Sequence, residues 1–86
     1  MAQREWPDWW KWEIDITDHT YKNMPVRGFT EVDLRRMMEH ATSFRPDVEE
    51  GRWRIETEFK GKPWEVIVEP VPEKRLLVVV TAYDVN

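Results

Sequence analysis

Residues 17–30, TDHTYKNMPVRGFT, constrain the fold more than any other part of this chain. Thr17 or Asp18 suits the N-cap of a helix, because either side chain can accept a hydrogen bond from a free backbone N–H. Pro25 predicts that this helix is short, since proline lacks the backbone donor and clashes with the preceding turn. Gly28 can adopt the positive φ that ends it. The segment therefore predicts a short helix followed by a tight turn.

A second helix is predicted to begin at Thr30. Thr30 and Asp33 resemble a capping box, which pairs two free backbone donors with side-chain oxygens. Four apolar residues then follow at the i, i+3, i+4, i+7 spacing of one helix face: Leu34, Met37, Met38 and Ala41. This spacing indicates a helix that packs one side against the rest of the protein.

Alternation of apolar and polar residues predicts strands on both sides of the helices. The alternating apolar residues before the helices are Trp10, Trp12, Ile14 and Ile16. Those after the helices are Trp53, Ile55, Thr57 and Phe59, and then, past a turn at Gly61-Lys62, Trp64, Val66 and Val68. Residues 43–51 are predicted to be a loop, and residues 76–83 a central strand that is apolar on both faces.

These elements predict an α+β fold of order β-α-α-β-β-β, with an antiparallel sheet and two short helices on one face. We expect residues 1–86 to form one domain, made of an irregular Trp-rich segment at 1–9 and an α+β core at 10–83. The last strand needs cover on both faces, and alternation sets Tyr83 on the same face as Leu77. The helices cover one face. We expect the N-terminal segment to cover the other, with a dimer contact as second choice.

Composition excludes several classes of function. The chain has no cysteine, which removes disulfides and thiolate metal sites, and His19 and His40 lie too far apart in sequence for a zinc motif. Neither a metal nor a cofactor is expected. The net charge of −4 weakens the case for binding a nucleic-acid backbone. Without a secretion signal, and with Leu76–Val80 as its longest apolar run, the chain is expected to be cytoplasmic and away from membranes.

A family resemblance rests on two stretches of the sequence. They are His19, Met24 and Arg27-Gly28-Phe29-Thr30 before a capped helix, and the closing Leu77-Val78-Val79-Val80-Thr81-Ala82-Tyr83. This layout resembles a group of small bacterial domains of unknown function, which are similar to BrnT toxins and, more distantly, to the RelE-like ribonuclease toxins. The resemblance covers residues 13–83 and implies a RelE/BrnT-like fold. Asn23 departs from the pattern, because that group usually has an arginine four residues after the histidine.

The resemblance implies a metal-independent ribonuclease toxin with four candidate catalytic residues: His19, Arg27, Arg54 and Tyr83. His19, near a helix start, would act as acid or base on a ribose 2′-hydroxyl, or else pack the helix against the first strand. Arg27 would stabilise phosphorane-like charge, or else donate to nearby carbonyls. Arg54 would hold the phosphate, and Tyr83 would add a hydroxyl.

The charges of the predicted sheet favour a different interpretation. Its basic residues are Arg52, Arg54, Lys60 and Lys62, and four carboxylates share their face by strand parity: Glu56, Glu58, Glu65 and Glu69. Such an arrangement is more typical of a solvated salt-bridge lattice, each pair worth under about 1 kcal/mol, than of a surface that reads RNA.

The aromatic N-terminus offers the other candidate site. Trp6 and Trp9 lie in the irregular segment, where they would anchor a partner protein or fold over the end of the sheet. Two functions therefore stay open. The favoured one is a protein-interaction module without strong catalysis, which binds a partner such as an antitoxin or forms a homodimer. The alternative is the ribonuclease toxin, for which RNA is the substrate.

Overall fold

The computed structural model describes residues 6–85, which form two α-helices and a five-stranded mixed sheet. In chain order the elements are a 3-10 helix at Asp8–Lys11, β1 at Glu13–Ile16, α1 at Asp18–Arg27, α2 at Glu31–Glu39, β2 at Ser43–Pro46, β3 at Trp53–Phe59, β4 at Lys62–Val71 and β5 at Leu76–Asp84. The strands lie side by side in the order β1-β5-β4-β3-β2.

The α+β class is confirmed, and two details of the predicted topology are wrong. β1 runs parallel to β5, whereas an all-antiparallel sheet was expected; the other neighbouring strands are antiparallel. The segment predicted as a loop at 43–51 contains a short strand, β2, which pairs with β3 through Phe44 and Ile55. Four residues with a single inward-facing aromatic give too little alternation to be recognised as a strand.

Both helices begin as predicted, and the first is longer than expected. The Thr17 side chain accepts a hydrogen bond from the backbone of Thr20, and Gly28 ends α1 with a φ of 77°. Pro25 lies inside α1 and does not stop it. Pro25 removes the hydrogen bond to the carbonyl of Tyr21, and both residues are on the exposed side of the helix, where water can solvate that carbonyl.

α1 packs along the edge of β5 where β1 has already ended. The hydroxyl of Thr20 lies 3.1 Å from the carbonyl oxygen of Val79 and 3.0 Å from that of Val80. Farther along, Nη1 of Arg27 donates to the carbonyl oxygen of Ala82 over 2.6 Å. Side chains of α1 thus continue along β5 from the last pair of β1, Ile16 with Val79, and satisfy backbone oxygens at and beyond the end of β1.

The core lies between the helices and one face of the sheet. Leu34, Met37 and Met38 are buried, as the stripe on α2 predicts, and they meet the inward residues of β3, β4 and β5. The hydroxyl of Thr57 on β3 donates to the carbonyl of Met37 over 2.5 Å, which fixes the end of α2 to the sheet. Trp64 is 5% exposed, in agreement with the predicted parity of β4.

The β3–β4 hairpin turns one residue earlier than predicted, at Lys60-Gly61. Both residues have positive φ, 54° and 77°, as in the type I′ turn whose twist matches the flanking strands. Phe59 therefore pairs with Lys62. The predicted turn at Gly61-Lys62 would set Phe59 opposite Trp64. The two registers differ by two residues along β4, so each side chain points to the same face of the sheet in both.

At the end of β5 the side chains point to the opposite faces of the sheet from those that regular alternation predicts. A bulge leaves Val80 without a partner between two regular pairs with β4. Leu77 and Val79 point into the core, but beyond the bulge Ala82 takes the inward position. Tyr83 consequently turns to the face away from the helices, and its predicted placement beside Leu77 is wrong.

The N-terminal segment covers the helix side of the sheet, contrary to expectation. Of the segment predicted to be irregular at 1–9, residues 1–5 lie outside the described part. Trp9 lies in the 3-10 helix, and its ring contacts Phe44 and Trp53, which point toward the core. The strand expected from Trp10 begins only at Glu13, because the chain first makes this helical turn.

A candidate active site on the outer sheet face

The face of the sheet away from the helices, here called the outer face, has a carboxylate at its centre. Glu65 lies in β4, the middle strand, and is 7% exposed. The hydroxyl of Tyr83 donates to Oε1 of Glu65 over 2.8 Å. Arg45 approaches Oε2 with Nη2 at 3.1 Å, and Arg54 approaches Oε1 with Nη1 at 3.5 Å. These four residues, from four adjacent strands or strand ends, are called the Glu65 cluster.

Carboxylates at its border orient the two arginines of the cluster. Nε of Arg54 donates to Oδ1 of Asp47 over 2.7 Å. That hydrogen bond is the main reason why the pKa of Asp47 is lowered and the pKa of Arg54 is raised. Arg45 lies 3.7 Å from Glu56, which also accepts a hydrogen bond from Ser43. Each of the two guanidinium groups therefore contacts two carboxylates, one at the border of the cluster and Glu65 at its centre.

The environment of Tyr83 keeps its hydroxyl protonated. Burial is the largest cause of its raised pKa, followed by the hydrogen bond to Glu65 and the negative charge of that carboxylate. Because the charged form is disfavoured, Tyr83 keeps its proton and donates a hydrogen bond to Glu65 throughout the neutral range.

This arrangement can perform acid–base chemistry next to a phosphate. A carboxylate that faces a reacting hydroxyl is a general base, a phenol is a proton donor, and planar guanidinium groups match phosphate oxygens. All three functions occur within one hydrogen-bonded group around Glu65. Within residues 6–85, no three His, Cys, Asp or Glu side chains are arranged to hold a metal ion.

The structure brings together two of the four sequence-predicted catalytic residues. Arg54 and Tyr83 both contact Glu65. Arg27 instead lies at the end of α1, where it donates to Thr81 and Ala82. His19 is exposed on α1, and Nδ2 of Asn23 lies 3.3 Å from its Nε2. None of the contacts found in the described structure joins His19 or Arg27 to the Glu65 cluster.

The candidate partner-binding tryptophans contribute to an aromatic cluster. The ring of Trp6 lies 4.5 Å from that of Trp10 and 4.9 Å from that of Phe44. Trp9 stands 5.6 Å from Trp53. Both tryptophans are half-buried, so their rings pack within the protein and keep part of their surface exposed to solvent.

Sequence reasoning missed two members of the cluster, Glu65 and Arg45. The predicted salt-bridge lattice exists, since Arg52 pairs with Glu69 over 3.1 Å at its border. Glu65 differs from the other carboxylates because it is buried, and the signal for this is its position between Trp64 and Val66 in a long strand. Arg45 lay in the segment predicted to be a loop.

Comparisons with known proteins support the fold. No protein-family model matches the sequence, and no curated protein sequence matches it either. Among solved structures, the chain is similar to the crystal structure of the Brucella abortus ribonuclease toxin BrnT, with a TM-score of 0.66. The two chains are 22% identical, and the match covers 88% of this chain and 99% of the BrnT chain. The resemblance to BrnT-like toxins is thereby confirmed at the level of the fold.

The structure contains no helix that could cross a membrane among residues 6–85.

Proposed function

We propose that this chain is a metal-independent ribonuclease of the toxin type, with Glu65 as its general base. The observation that carries the proposal is a carboxylate that is 7% exposed and contacts two arginines and a tyrosine. Burying a carboxylate is costly unless it is paired and hydrogen-bonded. A carboxylate beside a proton donor and two phosphate-matching cations supplies the base, the acid and the charge stabilisation that cleavage of RNA uses.

The reaction follows from the positions of these groups. Glu65 takes the proton of a ribose 2′-hydroxyl, whose oxygen attacks the adjacent phosphorus. Arg45 and Arg54 stabilise the negative charge that develops on the phosphorane oxygens. Tyr83 gives its proton to the departing 5′-oxygen, and the bond from phosphorus to that oxygen breaks. The products are a 2′,3′-cyclic phosphate and a 5′-hydroxyl.

The hydrogen bond between Tyr83 and Glu65 closes the proton cycle. After the reaction Glu65 holds a proton and Tyr83 lacks one, and 2.8 Å separates their oxygens. Transfer of that proton from Glu65 to Tyr83 restores the starting state without a further acid or base. In the free protein the arginines neutralise Glu65, and bound RNA replaces this pairing with its phosphate oxygens.

The likeness to BrnT adds independent support, since that protein is described as a ribonuclease toxin and its fold covers most of both chains. At 22% identity no residue role is taken from it. As part of the same proposal, the protein acts on RNA in the bacterial cytoplasm, and a cognate antitoxin binds it.

Cleavage of single-stranded RNA by the purified protein tests the proposal. We expect Glu65→Gln to reduce the cleavage rate by about 10²–10⁴-fold, the usual contribution of a general base. Glu69→Gln is the matched control, because Glu69 pairs with Arg52 outside the cluster and is expected to keep normal activity. Circular dichroism checks that both variants are folded. A folded wild-type protein that leaves RNA intact would overturn the proposal.

His19→Ala separates this site from the histidine-based one. If Glu65 is the base, His19→Ala retains cleavage, and tightly induced expression of the variant arrests bacterial growth as the wild type does. Loss of both effects would move the base to His19. Relief of the arrest by a co-expressed antitoxin would support the toxin–antitoxin assignment.

The second candidate function is a protein-interaction module without strong catalysis. The observation in its favour is the half-buried pair Trp6 and Trp9, which lies beside Phe44 on the short edge strand β2. Large aromatics with part of their surface exposed are common anchors of protein interfaces. Harmless expression and no RNA cleavage, together with a dimer or a hetero-complex that Trp6→Ala and Trp9→Ala disrupt in sedimentation, would favour this function.

A further inference from the structure

A second group of cations lies at the hairpin end of the sheet, apart from the Glu65 cluster. It lines a groove of about 240 Å³. The charged residues that line it are Arg27, Lys60, Lys62 and Asp84, and the rings of Phe59 and Trp64 line it as well. This site, called the hairpin groove, combines the C-terminal end of α1, the β3–β4 turn and the end of β5.

The charge of Arg27 is not neutralised by the groups it contacts. Its two hydrogen bonds go to the hydroxyl of Thr81 and the carbonyl of Ala82, and both are made by Nη1. A guanidinium has five N–H donors, and within residues 6–85 Nε and Nη2 of Arg27 have no hydrogen-bond partner and can bind a ligand. The two contacts hold the group in place without cancelling its charge.

Lys60 occupies a backbone position that does not favour lysine. Its φ is 54°, and the first central position of a type I′ turn prefers Asn, Asp or Gly. Its ammonium lies 5.2 Å from the ring centroid of Phe59, and both residues line the groove. The backbone of the turn does not require lysine, and beyond the contact with the Phe59 ring its ammonium forms no ion pair within residues 6–85.

The hairpin groove therefore differs from the outer face in its charge balance. On the outer face Arg45, Arg52 and Arg54 each pair with a carboxylate. In the groove three cations face one carboxylate, and none of Arg27, Lys60 and Lys62 forms an ion pair within residues 6–85. A surplus of positive charge around a concave site attracts anions.

We propose that the hairpin groove binds a phosphodiester of the RNA strand a few nucleotides from the bond that the Glu65 cluster cleaves. This inference rests on the proposed function for the identity of the strand. Lys62 precedes Glu65 by three residues in β4, about 10 Å along the strand at about 3.3 Å per residue. A short stretch of RNA can therefore contact both sites around the end of the sheet.

The test measures binding without cleavage. The probe is a fluorescent 2′-O-methyl RNA of about ten nucleotides, within the usual site size for single strands, which lacks the attacking hydroxyl. Lys60→Asn and Lys62→Gln are compared with the wild type over a range of salt concentrations. Each is expected to weaken binding about three- to tenfold and to reduce the slope of log affinity against log salt by about 0.7.

Two controls separate charge from structure. Lys60→Asn places a preferred residue in the turn and loses the contact of the ammonium with Phe59, so its thermal stability should stay close to that of the wild type while RNA binding weakens. Lys74→Gln removes the same charge from the β4–β5 turn at the opposite end of the strands and is expected to bind normally.

Unchanged affinity and salt slope in both groove variants would overturn the inference, even if the protein cleaves RNA. Equal weakening by Lys74→Gln would also overturn it, because binding would then follow overall charge. A polyglutamate peptide that binds as tightly as the RNA, with the same dependence on Lys60, would reassign the groove to an acidic protein segment. Groove-dependent RNA binding without any cleavage would support the inference and refute the proposed function.

Discussion

Tyr83 contacts Glu65 only because a bulge at Val80 turns the end of β5 over. The two residues are direct partners across β4 and β5, and their oxygens lie 2.8 Å apart. Regular alternation from Leu77 and Val79 would direct Tyr83 into the core. One extra residue in the strand thus supplies the proton donor of the Glu65 cluster, as bulges often do next to functional sites.

Tyr83→Phe tests this donor. The variant keeps the ring and removes the hydroxyl, so we expect RNA cleavage to fall by about 10²-fold or more, the lower end of the effect of an acid catalyst. The raised pKa of Tyr83 also contributes stability below its ordinary value of 10.0, which is lost as pH rises through the higher folded value. Urea denaturation from neutral to alkaline pH should therefore show a shallower decline in the variant. Tyr21→Phe is the control for the cleavage rate, because Tyr21 contacts Glu31 away from the cluster.

Asp47→Asn tests the support of Arg54. The hydrogen bond from Arg54 lowers the pKa of Asp47, so its contribution to stability is present above the ordinary value of 3.8 and is lost as pH falls through the lower folded value. The wild type should therefore lose stability in acid more steeply than Asp47→Asn. Denaturation midpoints at neutral and acidic pH measure the difference. If the stability of the two proteins falls equally between neutral and acidic pH, the pairing of Asp47 with Arg54 does not contribute to the pH dependence of folding.

Thr20→Val tests the contact of α1 with the edge of β5. Thr20 is 1% exposed, and its hydroxyl lies within hydrogen-bond distance of two carbonyl oxygens of β5. Valine has nearly the same shape but lacks this donor. Because the hydroxyl of Thr17 lies 3.0 and 3.4 Å from the same two oxygens, we expect the loss of one hydrogen bond, about 1 kcal/mol in the free energy of unfolding. Thr20→Ser retains the hydroxyl and should lose less. An equal loss in both variants would mean that packing of the methyl group, not the hydrogen bond, holds the helix there.

Trp64→Ala tests the core. Trp64 is 5% exposed and stands edge-on to Phe29 and Phe59 at 5.4 and 5.5 Å. Loss of its burial and the resulting cavity should lower the free energy of unfolding by about 3–5 kcal/mol, measured by chemical denaturation. Trp9→Ala, at a half-buried position, is expected to cost less.

The elements that the sequence predicts well are those with strong local signals. The cap at Thr17, the stripe from Leu34 to Met38 and the parity of Trp64 depend on neighbouring residues alone, and all three agree with the structure. The length of α1 was underestimated, because the cost of Pro25 depends on whether water reaches the carbonyl it leaves free.

The candidate site depends on features that local patterns do not contain. The bulge at Val80 arises from pairing between strands, and β2 is too short to alternate clearly. Arg54 and Tyr83 were identified through a family resemblance, whereas Glu65 required knowledge of which strand lies in the middle of the sheet. Burial of one carboxylate among several is decided by tertiary structure.

The contact of α1 with the far half of β5 also limits how copies of this domain can associate. An open strand edge is a template on which another chain can add a strand. Here Thr20 and Arg27 occupy the carbonyls that such a strand would need. The remaining edge strands, β1 and β2, have four residues each, and β2 ends at Pro46, which has no N–H to offer. Addition of a strand from another molecule is therefore prevented along this part of β5 and disfavoured at β1 and β2 by their shortness.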